Sequence, residues 1–358
     1  MGVLYTRTKI FHFKEKLDSL PKTIDKITAP LHVRIKLTNI CNHNCRYCAY
    51  RTDNLVMFGK DSGQNTKFIP REKMMEIIDD IIAMRVKAVT FSGGGEPFLY
   101  PYFLDVLKRL AKSPVRFASL TNGSRLVGKV AEIFAKHGTW VRVSMDGWDD
   151  DSYSLYRKVP SGEFTKIIKN MKNFKKLGGK CYLGVSLIID KKNAPHIYTS
   201  LSKLKKIGVN NVKISPCLVS DNEEANNNYI RPVLPIVKGQ IKKAVKELAG
   251  KNFEIFDAYN ELDEKFKKQY TWCPYIQILP IIGADLNVYA CPDKAYNLKN
   301  GLVGSIRNRR FKTFWFSDKN KFFKINPSLD CNHHCETNSK NKLILEYLYA
   351  DREHLNFV

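Results

Sequence analysis

Seven cysteines fall into two groups that could hold metal. Cys41, Cys45 and Cys48 are spaced Cys-x-x-x-Cys-x-x-Cys behind an apolar, strand-like run. Three thiolates can ligate three corners of a [4Fe–4S] cube, because soft sulfur suits iron–sulfur chemistry. The fourth iron is then open, and beside a strand end it could hold and reduce a small chelating molecule. Two readings compete with this one: a zinc knuckle, with His43 inside the triplet as a further ligand, and reduced core thiols.

About forty residues on, Val89-Thr90-Phe91-Ser92-Gly93-Gly94-Gly95-Glu96-Pro97 runs an apolar strand into three glycines, a carboxylate and a proline. Gly93, Gly94 and Gly95 let backbone approach a ligand closely, and Glu96 can hold an ammonium group. One helix after a cysteine triplet, this turn resembles the second signature of the radical S-adenosylmethionine (radical SAM) superfamily. The resemblance implies that the open iron chelates the methionine part of S-adenosylmethionine and that Glu96 holds its ammonium. Tyr47 would take the aromatic position of the CxxxCxΦC loop, whose backbone lies near the adenine.

Elements must carry these groups. Strand patterns cover residues 31–37, 88–91, 115–120, 140–144, 182–189 and 211–215, and helical periodicity covers 72–84, 102–112, 126–137, 164–177 and 197–207. Gly178 and Gly208 stop two helices just before the next strand. Strand–helix alternation predicts an α/β fold with a parallel sheet and right-handed crossovers, in line with the partial (β/α)6 barrel that the resemblance implies. Residues 1–30 read as a helical lead-in, 31–230 as the core, and 231–358 as a closing helix (236–249) followed by a small C-terminal α+β iron–sulfur extension.

That extension carries Cys273, Cys291, Cys331 and Cys335, enough thiolates for a second, auxiliary [4Fe–4S] cluster. Zinc is the rival, since His333 and His334 lie between the last two thiols. Asp285-Leu286-Asn287-Val288-Tyr289-Ala290-Cys291 resembles the "DGNVYPC" hairpin of SPASM/twitch extensions, with Leu286 where glycine is usual. The cysteine count favours the shorter twitch form.

In parallel α/β folds chemistry gathers at the carboxyl ends of strands. Cys181 opens the fifth strand, at the opposite end, and reads as core. Cys217 follows the sixth strand and should face the mouth, either as a hydrogen-atom donor to a substrate radical or as a half-buried loop thiol. Asn122 ends strand three; Ser144 and Asp146 end strand four in Val143-Ser144-Met145-Asp146-Gly147, which is close to the family's "VSLDG". Ser186 is placed comparably on strand five. The resemblance implies S-adenosylmethionine contacts for these four, whereas caps and turns are their ordinary roles.

Lys and Arg exceed Asp and Glu by 24 in a chain of 358 residues, which points to phosphates, nucleic acid or anionic surfaces. Arg307-Asn308-Arg309-Arg310 is the compact cluster, suited to a phosphorylated or nucleotide-linked substrate. No RNA-binding signature is visible, so nucleic acid is not the expected partner. No membrane-spanning or signal-like run is present, a cytoplasmic setting is expected, and the Met1–Thr6 match to a myristoylation pattern reads as chance. The resemblance implies a flavodoxin- or ferredoxin-type electron donor. It also implies hydrogen abstraction from a small polar molecule (a sugar, aminocyclitol or nucleotide-linked sugar), ending in dehydrogenation or epimerisation. Maturation of a peptide is the second expectation, since 30 leading residues are too few for an added peptide-binding domain but a separate protein can deliver one. RNA modification is the third.

Overall fold

Val33 and Ile35 alternate with His32, Arg34 and Lys36 along the first strand, so apolar and charged side chains leave on opposite faces. The computed structural model describes residues 4–50, 66–259 and 266–357; Met1, Gly2 and Val3 of the myristoylation-like pattern lie outside them. Six strands match the expected ones to within one or two residues: β1 (His32–Ile35), β2 (Ala88–Phe91), β3 (Arg116–Thr121), β4 (Trp140–Ser144), β5 (Tyr182–Ile189) and β6 (Asn211–Pro216). They pair in parallel and in chain order.

The sheet then grows at both edges. β7 (Glu254–Asp257) adds in parallel to β6, and β8 (Ile281–Ile282) adds in parallel to β1. β9 (Asn287–Tyr289) and β10 (Leu302–Ser305) continue past β8 as antiparallel strands. The result is one ten-stranded sheet in the linear order β10-β9-β8-β1-β2-β3-β4-β5-β6-β7. The tail strands therefore prolong the main sheet. Leu286, at the glycine position of the tail hairpin, takes a left-handed φ of 64°, a conformation that disfavours a side chain.

Helices Arg71–Ala83, Phe103–Ala111, Gly128–His137, Glu163–Lys176 and Ile197–Ile207 cover one face of the sheet. There Val33, Ile35, Val89, Phe91, Val141, Val143, Leu183, Val185, Val212 and Ile214 are fully buried. Each such side chain contributes about 1.5–3 kcal/mol relative to exposure. The helix Leu234–Leu248 was expected to close the barrel; it packs instead on the outer helix Ile197–Ile207, and the sheet stays open. The lead-in is two short helical turns, Thr8–His12 and Lys14–Asp18.

The opposite face is the polar interior. By register it carries Arg34 and Lys36 on β1 and its extension, Arg142 and Ser144 on β4, Ser186 on β5 and Lys213 on β6. Tyr5 is seated among these inward residues: its hydroxyl donates to Asn211 Oδ1 at 2.9 Å and its ring stacks on Phe256 at 4.3 Å. Among the described residues, no helix is long and apolar enough to cross a membrane.

Candidate active site

β1 leads through Thr38, Asn39 and Ile40 into Cys41, and the glycine turn after β2 is laid against that segment. Gly95 N–H donates to Thr38 O at 2.7 Å and Glu96 N–H to Ile40 O at 2.9 Å. A Cβ on Gly95 would stand 2.1 Å from Ile40 O, and one on Gly94 (φ +80°) 2.5 Å from Asn39 Oδ1. The close approach these glycines permit is thus to the chain entering the cysteine loop, where the sequence suggested a ligand.

Glu96 is buried and accepts three hydrogen bonds, from Phe98 N–H (3.1 Å), Thr121 Oγ1 (2.6 Å) and Asn122 N–H (2.7 Å). Burial raises its carboxyl above the ordinary range against the pull of these donors. It has no ion pair among the described residues, so a bound ammonium would supply the missing positive charge. The Asn122 side chain donates to Asn42 Oδ1 at 2.9 Å, and Asn42 donates to Ser124 Oγ at 2.9 Å. The end of β3 therefore braces the cysteine loop.

Arg157 carries no motif or spacing that would mark it. It ends a helix, Asp150–Arg157, that a capping box of Asp149 and Ser152 starts and that Lys158 ends at φ 49°. Its guanidinium is buried, pairs with Asp146, and donates from Nη1 to Cys45 Sγ at 3.4 Å. Asp146 also accepts from the Tyr47 hydroxyl and, at 2.7 Å, from Ile188 N–H. Asp146 is thus spent inside the protein, positioning Tyr47 and Arg157. Ser144 and Ser186 stand side by side in register on the inner face, both half-buried.

At the mouth, Arg46 pairs with Asp190, which also accepts from Tyr156 OH at 2.5 Å. Cys217 lies within electrostatic reach of this group. Burial first, then Asp190 and Asp146, push its thiol up to about 12, so it stays S–H. Cys181 is buried just before β5 at the opposite end of the sheet. His43 lies 3.7 Å from Glu163 and edge-on to Tyr153.

The four tail cysteines converge. Cys273, Cys291, Cys331 and Cys335 line one small cavity of about 20 Å³ with Lys268, Lys294 and His333. Burial first, then the neighbouring thiols, push Cys273 up to about 12, and burial, then Asp293 and the neighbouring thiols, hold Cys291 well above the ordinary range. Thiolates on a single tetrahedral zinc stand about 3.8 Å apart. Among the described residues, the group of three or more donors within 4.8 Å of one another is Cys291, Asp293 and His333, and no three cysteines are so close.

Lys36 lies between the two groups. It is fully buried, donates to Tyr50 OH, and sits 4.3 Å over the Tyr50 ring. A Cβ on Gly93 would come within 2.7 Å of its Nζ. Burial and then Arg34 lower its pKa to about 7, while Asp293, Cys48 and Cys291 pull upward. A cysteine of each group therefore acts on the same amine. One signal in the sequence could have found it: two basic residues alternating with buried Val33 and Ile35.

Arg307–Arg310 does not join this interior. Arg310 forks onto Asp80 Oδ1 at 2.9 and 2.7 Å, and Lys73 donates to Arg309 O at 2.9 Å. The cluster is packed against the helix Arg71–Ala83.

Residues 35–198 match the family model described as the Radical SAM superfamily. The chain is 26% identical over 139 residues to a GTP 3′,8-cyclase of Clostridium perfringens, covering 38% of this chain and 40% of that protein. It therefore spans about two fifths of the length of the curated relatives it matches. Streptococcus suis SuiB bound to the precursor peptide SuiA has the same fold at TM-score 0.61 and 16% identity, covering 88% of this chain and 71% of SuiB. Native anSMEcpe with bound AdoMet superposes at TM-score 0.56 and 16% identity, covering 89% of this chain and 96% of the other.

Proposed function

We propose that the protein is a radical SAM enzyme, since residues 35–198 match the model of that superfamily, and that it cleaves S-adenosylmethionine reductively and abstracts a hydrogen atom from a small polar substrate. The observation that carries the substrate site is Lys36: one buried amine lies within electrostatic reach of Cys48 and of Cys291. The inner sheet face near it carries polar side chains, Ser144 and Ser186 among them, which suit a molecule with several hydrogen-bonding groups.

Cys41, Cys45 and Cys48 would hold a [4Fe–4S] cluster, which when reduced supplies the electron that breaks the sulfonium bond. Arg157 places a fixed positive charge beside Cys45. Glu96 would accept the methionine ammonium through the remaining capacity of its carboxylate. Tyr47, held by Asp146, fixes the loop backbone near the adenine, and Ser144 and Ser186 offer hydroxyls to the ribose. Asn122 acts through Asn42 on the loop.

Cys273, Cys291, Cys331 and Cys335 would hold the auxiliary cluster. The substrate radical then has two natural fates: loss of an electron toward the tail and of a proton to solvent, giving dehydrogenation, or transfer of the Cys217 S–H hydrogen atom, giving epimerisation and a thiyl radical that the external electron donor must reduce. A flavodoxin- or ferredoxin-type protein would be the donor.

Anaerobically reconstituted protein incubated with S-adenosylmethionine and deuterated candidate substrates tests this. Deuterium should appear in 5′-deoxyadenosine with a phosphorylated or glycosidic small molecule. Transfer from a peptide alone would overturn the substrate class, and no cleavage at all would overturn the reading.

A further inference from the structure

Two half-buried arginines on the inner sheet face, Arg34 and Arg142, make no ion pair with any described residue, although the Glu336 charge reaches Arg142. The Arg34 side chain, on β1, makes no hydrogen bond or ion pair with any described residue, and its Nε is buried without a partner. Arg142, on β4, donates from Nη2 to the Tyr5 hydroxyl, and its Nε is likewise buried without a partner. The two charges act on each other, since Arg34 is among the groups that hold Arg142 below its ordinary range, after burial. Lys36 stands one pleat above Arg34, and Lys213 nearby on β6 pairs with Glu336 at 3.2 Å. Asp293 feels Arg34 but makes no ion pair with it among the described residues. Like charges held together out of bulk water are favoured where an anion can neutralise both.

We propose that Arg34 and Arg142 form a phosphate receptor in the interior, so that the substrate is a nucleotide or similar phosphorylated small molecule held with its phosphates between them. Planar guanidinium forks match phosphate oxygens two at a time. Tyr5, stacked on Phe256, forms the floor beside Arg142. This inference rests on the interior being the substrate site, as proposed above.

The test is equilibrium binding of inorganic tripolyphosphate, a panel of nucleoside triphosphates and the matching nucleosides to the reconstituted full chain at physiological ionic strength. Triphosphates should bind and nucleosides should bind far more weakly. Arg34→Gln and Arg142→Gln should each weaken triphosphate binding roughly ten- to a hundredfold, with partial rescue by Arg34→Lys. The paired change Arg307→Gln and Arg309→Gln, outside the interior, should leave binding as it was. Equal losses in the outer variant, or wild-type binding in the inner ones, would overturn the proposal and show general attraction to a basic surface.

Should the inner variants fail to fold, arginine-selective labelling of the wild type decides. Tripolyphosphate should protect Arg34 and Arg142 from phenylglyoxal, and unprotected arginines overturn the receptor. Cleavage of S-adenosylmethionine by the wild type is scored separately. Its loss with intact, Arg34-dependent binding would sink the radical reading and spare the receptor, and the reverse pattern would sink the receptor alone.

Discussion

Arg157 Nη1 stands 3.4 Å from Cys45 Sγ while its Nη2 pairs with Asp146, so one buried cation serves a candidate cluster ligand and the residue that holds Tyr47. A thiolate is the ligand form of cysteine, and a fixed positive neighbour favours it.

Replacing Arg157 by Gln should therefore act twice. It removes the charge beside Cys45, and it leaves Asp146 buried without a cation, a loss of about 3–5 kcal/mol for a broken buried pair. Iron bound at the triplet should fall markedly while the tail keeps its share. Arg157→Lys should recover part of the content by restoring charge without the fork. Iron and sulfide analysis with a urea midpoint gives the answer; full iron content in the Gln variant would show the guanidinium to be dispensable.

Glu96 separates structure from ligand binding when two substitutions are compared. Glu96→Ala removes three internal hydrogen-bond acceptor contacts, to Phe98, Thr121 and Asn122, and should destabilise by a few kcal/mol, at about 1 kcal/mol or more for each buried donor left alone. Glu96→Gln keeps an acceptor and the shape but loses the charge. It should stay folded and bind S-adenosylmethionine roughly ten- to a hundredfold more weakly. Equal binding by Gln and wild type, measured by calorimetry, would mean the ammonium sits elsewhere.

Metal content tests both cysteine groups together. The reconstituted wild type should carry about eight irons in two cubes. Changing Cys41, Cys45 and Cys48 to Ala should leave about four irons and abolish S-adenosylmethionine cleavage. Cys291, Asp293 and His333 form the one close donor trio among the described residues, so His333→Ala is the informative variant. Unchanged iron with His333→Ala supports the four-thiol cluster, whereas about four irons plus one zinc in the wild type, with the zinc lost in His333→Ala, would replace it.

What could be read from the sequence were features that repeat or cluster locally. The strands β1 to β6 announce themselves through runs of β-branched residues, and the triplet through its spacing. β7 and β8 offered four and two residues with no turn chemistry of their own, and they exist because a neighbouring strand already presents an edge. The helix Asp150–Arg157 was hidden by its polarity: its buried face is Ser152, Tyr153, Tyr156 and Arg157. Spacing also could not say which polar residues were already committed. Asp146 and Asn122 were correctly read as lying at strand ends, yet their side chains turn to Arg157, Tyr47 and Asn42. Such choices depend on which partner the fold brings within about 3 Å.

Cys217 follows β6, is buried, and has its thiol pushed up to about 12 by its surroundings. With the folded pKa raised above the ordinary thiol value of 9.0 to about 12, the S–H form is kept well above neutral pH. Hydrogen-atom donation needs that form. Any Cys217-dependent product should accordingly not decline between pH 7 and 9 through loss of the thiol proton, and the thiol should resist iodoacetamide over that range. Cys217→Ala should keep its iron, still cleave S-adenosylmethionine and still take deuterium from the substrate. The inverted or reduced product should disappear, and turnover should stop after about one event because the substrate radical is left unquenched. Product analysis under single-turnover conditions checks this. If Cys217→Ala makes the same product at the same rate, the thiol is packing beside Asp190, and loss of the electron toward Cys273, Cys291, Cys331 and Cys335 becomes the better account.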